Sequence, residues 1–500
     1  MSEKLNRLKE LLGEVADLNK AASVLSWDQQ VNMPPMGGEA RGQQLATLSK
    51  IIQEKFTSDE IGRLLDDLKK EFAGADADND DAAMIRVAAR EYDKQKRVPP
   101  EFVAEQAIAA TQGFQAWHEA KQKSDFSIFR PFLEKNVELI EKYIGFFPPA
   151  DHPYDTLLND YEPGMKTAEV KAIFDGLRPK QVKLIKAIAE KKQVNHDFLY
   201  KNYNEKKLWD FGVNVVTQFG YDWKRGRQDK APHPFETSFS VNDVRITTRF
   251  VKDNPFGTLF GTMHEAGHAM YEQGIDPKYD RTSLAGGTSL AVHESQSRMW
   301  ENLVGRSLPF WEHFYPTLKK TFPTQLDGVS LKTFYKAINK VQPSLIRVEA
   351  DEATYNMHIM LRLELEIAMV EGSVAIKDLP EIWNAKIQEY LGITPPNDAK
   401  GVLQDIHWSY GAIGYFSTYA LGNLVSAQLW EKINKDIRNL DDQIRKGEFS
   451  ELLGWLRKNI HQYGHKYDPQ VLVQKVTGSK IAPEPYMRYL TKKYSEVYGL

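Results

Sequence analysis

Apolar side chains recur three and four residues apart over most of this chain, which is the spacing of amphipathic helices. In the first segment, Leu5, Leu8 and Leu12 fall on one helical face. Helices are predicted over residues 1–22, 37–72, 82–96, 101–122, 127–146, 168–192, 353–371 and 424–447. Breaks are predicted at 32–38, 74–81, 97–100, 147–153 and 394–398, where Gly, Pro, Asn and Asp cluster. The pattern therefore predicts a mostly α-helical fold.

One stretch follows a different pattern. Between Pro232 and Val251, apolar and polar residues alternate on both sides of a turn sequence at 241–243. This period of two predicts a small β-hairpin. A strand edge can pair with an extended peptide, and a purely structural hairpin fits the pattern equally well.

Residues 406–430 contain no Asp, Glu, Lys or Arg and are long enough to span a bilayer. However, the stretch includes Ser409, Asn423 and Gln428, together with several glycines. These polar residues favour a helix buried in a large core, or one that lines a cleft, over a membrane span.

Composition narrows the functional class. The chain has 500 residues, of which 42% are hydrophobic and 27% are charged, as is typical of soluble globular proteins with a large core. A net charge of -3 predicts no binding to nucleic acid or to anionic membranes. The chain has no cysteine, which excludes disulfides, thiolate nucleophiles and cysteine zinc sites, and which fits a reducing cytoplasm. The N-terminus lacks the apolar run of a signal peptide.

The strongest chemical signal is the pentapeptide His264-Glu265-Ala266-Gly267-His268. Residues four apart share a helical face, so the two histidines can bind one zinc ion, while Glu265 can accept a proton from water at the metal. A catalytic zinc usually has a third protein ligand. The metzincin pattern would require Gly and His where this chain has Tyr271 and Gly274, which excludes that class.

A glutamate is the other common third ligand, and the candidates are Glu272, Glu294 and Glu301. Glu272 lies on the same helix but too far along its axis to join both histidines easily. Glu294 is favoured because the glycine-rich segment 283–288 can turn the chain back, so that a second helix presents this carboxylate to the histidines. Alternatively, Glu294 is a solvated carboxylate near a helix N-terminus.

Further motifs extend along the chain. They are Ser26-Trp27-Asp28-Gln29, Met33-Pro34-Pro35, His233-Pro234-Phe235, Asp243-Val244-Arg245-Ile246-Thr247, His293-Glu294-Ser295-Gln296, Ile346-Arg347-Val348-Glu349-Ala350-Asp351, and Gly401-Val402-Leu403-Gln404-Asp405-Ile406-His407-Trp408. With these motifs the chain resembles the M32 family of metallocarboxypeptidases over nearly its whole length.

The resemblance implies a large, mostly α-helical domain with a deep substrate groove and a small β-hairpin beside the HExxH helix, similar to neurolysin and angiotensin-converting enzyme. We therefore predict one domain over 1–500, with a lid-like segment at 1–75, a zinc-binding core at 230–305 and groove motifs at 340–425. The resemblance also implies a cytoplasmic homodimer. It assigns the metal to His264, His268 and Glu294, and catalysis to Glu265.

A carboxypeptidase must recognise the terminal carboxylate of its substrate, and arginine suits this task because its planar fork donates two hydrogen bonds. The candidates are Arg347 and Arg245. Each has a structural alternative: Arg347 can pair with Asp351 four residues along a helix, and Arg245 can pair with Asp243.

Donors to the developing oxyanion or to the peptide backbone are expected from His407 and from Tyr415 or Tyr419. Asp405 is expected to orient His407 or a metal-binding histidine. The residues predicted to surround the ligands and the groove are Asp405, His293, His233 and Asp351.

The predicted function is a zinc-dependent carboxypeptidase that releases single C-terminal residues with broad specificity from peptides with a free carboxylate. Cobalt or manganese can occupy the same ligands. One alternative is an oligopeptidase or dipeptidyl carboxypeptidase with a related fold. The other is a non-catalytic helical scaffold stabilised by zinc, against which the predicted ligand count argues, since structural sites usually have four protein ligands.

Overall fold

The structure is a computed structural model that describes residues 3–500. Its first ten helices are α1 (Glu3–Val31), α2 (Gly38–Phe56), α3 (Asp59–Glu71), α4 (Asp80–Arg97), α5 (Pro100–Lys123), α6 (Phe126–Ile144), α7 (Pro153–Leu158), α8 (Thr167–Ala189), α9 (Glu205–Phe219) and α10 (Pro255–Glu272). The others are α11 (Leu290–Arg298), α12 (Leu308–Thr321), α13 (Leu331–Ile338), α14 (Tyr355–Val370), α15 (Leu379–Leu391), α16 (Ser417–Asp436), α17 (Leu440–Lys446), α18 (Ser450–Asn459), α19 (Pro469–Thr477) and α20 (Glu484–Tyr498). The prediction of a mostly helical fold is confirmed.

Two predicted helices are in fact pairs of helices. The segment predicted at 37–72 divides into α2 and α3, because Ser58 adopts an extended conformation before the acidic first turn of α3. The segment predicted at 424–447 divides into α16 and α17, and Asn439 takes a left-handed conformation between them. Apolar spacing continues across both breaks, so periodicity alone could not locate them.

A small sheet precedes α10. The predicted hairpin is present as β2 (Glu236–Ser240) and β3 (Asp243–Thr248), which pair antiparallel. A third strand, β1 (Gln228–Lys230), pairs parallel with β3, so the strand order is β1-β3-β2. Sequence reasoning missed β1 because a strand of three residues is too short to show alternation.

The described residues form two compact units. The first comprises the chain up to Lys96, His196–Ile338 and Leu429–Gly478. The second comprises Arg97–Asn195, Asn339–Gln428 and Ser479–Leu500. The segments predicted at 1–75 and 230–305 therefore lie in the first unit, and the motifs predicted at 340–425 lie in the second.

The core of the first unit explains why the N-terminal helix lies against the sheet. Apolar residues on one face of α1, such as Leu8 and Leu12, are buried in a cluster with Val241, Ile275 and Leu284. The helix α10 packs against α9, β3, α11 and the segment after α11, and most of its side chains are buried. The HEAGH motif is therefore carried by a helix that is largely buried within the first unit.

In the second unit, α14 is the most deeply buried helix and packs against α6, α7, α8 and α15. It carries charged side chains into the core, including Arg362 and Glu366.

The uncharged stretch 406–430 becomes a short 3-10 turn, His407–Tyr410, followed by a loop and the largely buried first part of α16. Among residues 3–500, no helix combines the length and the hydrophobicity that a bilayer crossing requires.

Candidate metal centre

Helix α10 presents both histidines of the HEAGH motif on one face. The helix begins at Pro255, and the side chain of Asn254 caps it by accepting a hydrogen bond from the Gly257 amide. One turn separates His264 from His268, and their ring centroids lie 4.9 Å apart. The local sequence is therefore sufficient to bring these two side chains together.

Helix α11 carries Glu294 and packs directly against α10. A Cβ atom at Gly267 would lie 2.6 Å from the Cα of Ser297 and 2.7 Å from the carbonyl oxygen of Gln296. Only glycine permits so close an approach of the two backbones. The glycine within HEAGH therefore allows the second helix to bring its carboxylate to the histidines.

Within residues 3–500, one group of three His, Asp or Glu side chains could hold a metal ion. It consists of His264, His268 and Glu294. Glu294 Oε2 lies 3.4 Å from His264 Nε2 and 3.5 Å from His268 Nε2. Ligand atoms about 2.1 Å from one tetrahedral ion lie roughly 3.4 Å apart. Two imidazole nitrogens and one carboxylate oxygen therefore fit a divalent transition-metal ion at this point.

The carboxylate of Glu294 is held by its own helix. Arg298 Nε donates to Glu294 Oε1 at 2.7 Å, and the Ser297 hydroxyl donates to Oε2 at 3.0 Å. Burial opposes ionisation of Glu294, but the positive charges of Arg298 and His264 lower its pKa well below the usual value. Glu294 is therefore ionised, and Oε2 is the oxygen that faces the two histidines.

The two glutamates that the sequence offered as other third ligands lie behind the histidines. Glu301 Oε2 is 2.9 Å from His264 Nδ1, and Arg298 Nη1 donates to the same oxygen at 3.1 Å. Glu272 Oε1 is 2.9 Å from His293 Nε2, and His293 Nδ1 is 2.6 Å from His268 Nδ1. Each of the two glutamates therefore contacts a histidine nitrogen, and neither belongs to the three-residue cluster.

The roles of Arg298 and Glu301 were missed from sequence, although a signal was present. Arg298 and Glu301 follow Glu294 by four and seven residues, which places all three on one face of a helix. The helix widens to a π-helical turn over Met299–Val304, and the contacts to His264 and Glu294 persist through it.

Glu265 lies next to His264 with 8% of its surface exposed. Burial raises the pKa of Glu265 to about 7, and the charge of Glu294 adds to the effect. A carboxylate with a pKa near neutrality can both accept and return a proton in that pH range.

Arg245 pairs within the hairpin. Its Nε and Nη2 atoms each donate to a carboxylate oxygen of Asp243 at 2.8 Å. The guanidinium carbon lies 4.4 Å from the ring centroid of Trp27 and 4.8 Å from that of Phe239. The geometry favours the pairing with Asp243 over a role in carboxylate recognition.

Arg347 belongs to a buried charge cluster in the second unit. Its Nε and Nη2 atoms donate to Asp405 Oδ1 at 3.0 and 2.8 Å, and Nη1 donates to the Tyr355 hydroxyl at 3.0 Å. Arg362 Nε donates to the other oxygen of Asp405 at 2.7 Å. Two guanidinium groups therefore share one carboxylate, which leaves an excess of positive charge.

Two expectations about this cluster are corrected. Arg347 lies on a 3-10 turn rather than a helix, and Asp351 does not pair with it. The Asp351 carboxylate instead accepts hydrogen bonds from the Gln342 amide and the Thr354 hydroxyl, which fixes the local backbone. The Asp405 carboxylate, which was expected to orient a histidine, accepts hydrogen bonds from Arg347 and Arg362, and the charge of His407 also lowers its pKa.

The aromatic residues predicted to contact substrate lie beside Arg347. The ring centroid of His407 is 5.3 Å from that of Tyr415, which is 5.4 Å from that of Tyr419. The guanidinium carbon of Arg347 lies 5.0 Å from the Tyr419 ring. His233, in contrast, is exposed in the first unit just before β2.

Comparison with known proteins identifies one family, and the relatives described below are carboxypeptidases. Residues 7–494 match the family described as "Carboxypeptidase Taq (M32) metallopeptidase". The chain is 39% identical over 502 residues to "Thermostable carboxypeptidase 1" of Thermus thermophilus, and 37% identical over 492 residues to "Carboxypeptidase 1" of Bacillus subtilis. Each alignment covers 98% of this chain and 98% of its relative.

A similar fold is known experimentally. The crystal structure of an M32 carboxypeptidase from Deinococcus radiodurans R1 matches this chain with a TM-score of 0.96 at 39% identity, and the match covers 100% of both chains.

Proposed function

Since this chain belongs to the M32 family of metallocarboxypeptidases, we propose that it uses one zinc ion, held by His264, His268 and Glu294, to release single amino acids from the C-terminus of peptides. The observation that carries this proposal is the convergence of two imidazole nitrogens and one carboxylate oxygen within 4.8 Å of one another. Glu265 follows the first of these histidines directly in sequence.

Zinc at these ligands would supply Lewis acidity and would lower the pKa of water, and cobalt or manganese could replace it. The residues of the chain supply the proton transfers. A Glu265 carboxylate oxygen accepts a proton from the attacking water and then returns it to the nitrogen of the leaving amino acid. Burial raises the pKa of Glu265, which makes its carboxylate a better proton acceptor.

We assign recognition of the terminal carboxylate to Arg347. Arg347 and Arg362 share the single carboxylate of Asp405, so the cluster carries an unbalanced positive charge in a buried environment. A substrate carboxylate would balance this charge. His407, Tyr415 and Tyr419 lie beside Arg347 and are proposed to hold the peptide.

Further properties are proposed from the family resemblance. They are a cytoplasmic homodimer, a single domain with a deep groove like that of neurolysin and angiotensin-converting enzyme, and a lid-like role for residues 1–75. The absence of cysteine supports the cytoplasmic location.

The test is timed mass spectrometry of one long peptide digested by the metal-loaded enzyme. We expect a ladder of single C-terminal losses with zinc and no cleavage after chelation. The same peptide with a C-terminal amide is the matched control, and it should remain intact because its end carries no charge.

Two results would overturn the proposal. Losses in steps of two residues would favour the dipeptidyl carboxypeptidase alternative, and internal cleavage of the amidated peptide would favour an oligopeptidase.

A further inference from the structure

The two histidines of the metal centre are supported from different directions. Behind His264 stands Glu301, which Arg298 holds, and both residues follow Glu294 closely in sequence. The contacts behind His268 instead pass through His293 of α11 and continue towards the sheet and the N-terminal helix.

These contacts form an uninterrupted chain of hydrogen bonds through four side chains beyond His268. In order, they are His268 Nδ1 to His293 Nδ1 at 2.6 Å, His293 Nε2 to Glu272 Oε1 at 2.9 Å, Glu272 Oε2 to Ser238 Oγ at 3.1 Å, and Ser238 Oγ to Lys20 Nζ at 3.3 Å. Lys20 lies on α1 and Ser238 on β2. These hydrogen bonds thus connect the N-terminal helix to His268, one of the proposed metal ligands.

The direction of each hydrogen bond follows from the two ends. The Lys20 ammonium can only donate, so Ser238 accepts from it and donates its own hydroxyl proton to Glu272. A metal ion on His268 Nε2 leaves the proton on Nδ1, so His268 donates to His293, which in turn donates from Nε2 to Glu272. The series of hydrogen bonds that starts at Lys20 and the series that starts at His268 therefore both end on the Glu272 carboxylate.

Glu272 is well suited to accept from both sides. Its Oε1 also accepts a hydrogen bond from the Gly287 amide at 3.0 Å, and only 6% of its surface is exposed. Burial opposes ionisation, but the hydrogen bond from His293 lowers the pKa of Glu272, and the charge of Lys20 contributes to the lowering. The buried Glu272 carboxylate therefore accepts hydrogen bonds from three donors, His293, Ser238 and the Gly287 backbone amide. These hydrogen bonds hold His293, which contacts His268.

We propose that Lys20, Ser238 and Glu272 are positioning residues that hold His268 through His293 and so set the metal affinity of the enzyme. Through them, the seating of α1 on the sheet controls the geometry of the metal centre. This inference rests on the metal ligands of the proposed function.

The position of Lys20 is itself fixed by packing. Its ammonium also donates to the Ser238 carbonyl oxygen at 2.8 Å, which joins α1 to β2 through the backbone. Leu8 and Leu12 bury α1 in the core of the first unit, and Trp27 lies over Arg245 of β3. A shift of α1 would therefore be transmitted to Glu272.

The charge of Lys20 has a second effect at this point. Glu236 lies close to Glu272, and burial together with the negative charge of Glu272 raises the pKa of Glu236 to about 8. Lys20 is the cation on α1 that lowers the pKa of both carboxyl groups. Lys20 therefore supplies a positive charge that compensates the buried Glu272 carboxylate.

The test measures metal affinity by chelator competition with the full-length protein. For Glu272→Gln, which keeps the shape but removes the charge, we expect affinity about 10- to 100-fold weaker, as is usual when a partner of a metal-binding histidine is changed. Lys20→Met and Ser238→Ala should each weaken binding about threefold to tenfold, and the double variant Lys20→Met/Glu272→Gln should be no weaker than Glu272→Gln alone.

One spectroscopic readout and one control variant separate an effect on the position of His268 from general destabilisation. The visible absorption spectrum of the cobalt-loaded enzyme should shift in Lys20→Met, because the orientation of His268 changes. The control Lys4→Met, on the same helix, removes an exposed pair with Asp67 at 2.6 Å and should leave affinity and spectrum unchanged. Circular dichroism verifies that each variant is folded.

Wild-type affinity and an unaltered cobalt spectrum in both Lys20→Met and Ser238→Ala would overturn the inference and leave the proposed function intact. In contrast, if His264→Ala bound metal as tightly as the wild type, the proposed ligands themselves would be wrong.

Discussion

Glu265 is the residue at which metal binding and chemistry can be separated. Glu265→Gln keeps the size of the side chain and leaves all three proposed ligands in place. We expect the metal content to stay at the wild-type level and kcat to fall by about 100-fold or more, because an amide cannot accept the proton from water. Metal analysis and steady-state kinetics on one peptide measure the two effects.

The matched variant is His264→Ala, which should lose metal and activity together. Near-normal turnover in metal-loaded Glu265→Gln would exclude Glu265 as the general base.

Arg347 and Arg245 provide a second comparison between single residues. Arg347→Gln should raise KM for peptides with a free carboxylate by about 10- to 100-fold, which corresponds to a hydrogen-bonded charge pair of about 1.5–3 kcal/mol. Arg245→Gln is the control, because Arg245 already pairs with Asp243 and should not contact substrate.

Steady-state kinetics of Arg347→Gln and Arg245→Gln measure the KM of each variant. Equal KM values for Arg347→Gln and the wild type, with only a lower melting temperature, would make Arg347 a purely structural partner of Asp405.

At the scale of elements, the contact between α10 and α11 decides whether three ligands can meet. Gly267→Ala places a methyl group against the backbone of α11, which cannot move as a side chain can. We expect a loss of about 1–3 kcal/mol in the free energy of unfolding from overpacking, and weaker metal binding because Glu294 is displaced.

Denaturant unfolding and chelator competition test this expectation. Gly261→Ala on the same helix is the control, since nothing lies within 4 Å of the added methyl group. That change should be neutral or stabilising by up to about 1 kcal/mol. Equal stability and equal metal affinity of the two variants would show that the close approach of α10 and α11 at Gly267 does not determine either property.

For the whole molecule, metal removal should lower stability, because the ion binds the folded chain and not the unfolded one. A metal present at 1,000 times its Kd adds about 4 kcal/mol to the free energy of unfolding. Thermal melting with and without chelator measures the change, and His264→Ala should show no difference between the two conditions. An equal melting temperature for the wild type in both would contradict a bound metal.

A second property of the whole molecule is its response to acid. His358 on α14 is fully buried, and burial together with the charge of Arg362 lowers its pKa from 6.5 to about 3. The unfolded chain therefore binds a proton below pH 6.5 that the folded chain rejects, so stability falls as the pH drops.

Between pH 7 and pH 5, the wild type should lose about 2 kcal/mol more than His358→Met does. Urea unfolding of both proteins in the presence of chelator isolates this contribution from metal release. Parallel pH dependence of the two proteins would contradict a neutral, buried His358.

The spacing of residues along the sequence predicted most helices and the hairpin, because these features depend on residues within a single helix or strand pair. The helical periods, the alternation of the hairpin and the shared face of His264 and His268 need no distant contacts. The breaks at Ser58 and Asn439 and the three-residue strand β1 were missed, because the apolar pattern changes little there.

The sequence by itself determined the helical fold class and the metallocarboxypeptidase family, and it predicted the residues that we propose for the chemistry. Only the tertiary structure decided which partner each of them has. Glu301 and Glu272 contact the ring nitrogens of His264 and His293, and Asp405 pairs with two arginines. The physical reason is that these partners come from distant segments, whose meeting depends on helix packing and on close approaches such as that at Gly267.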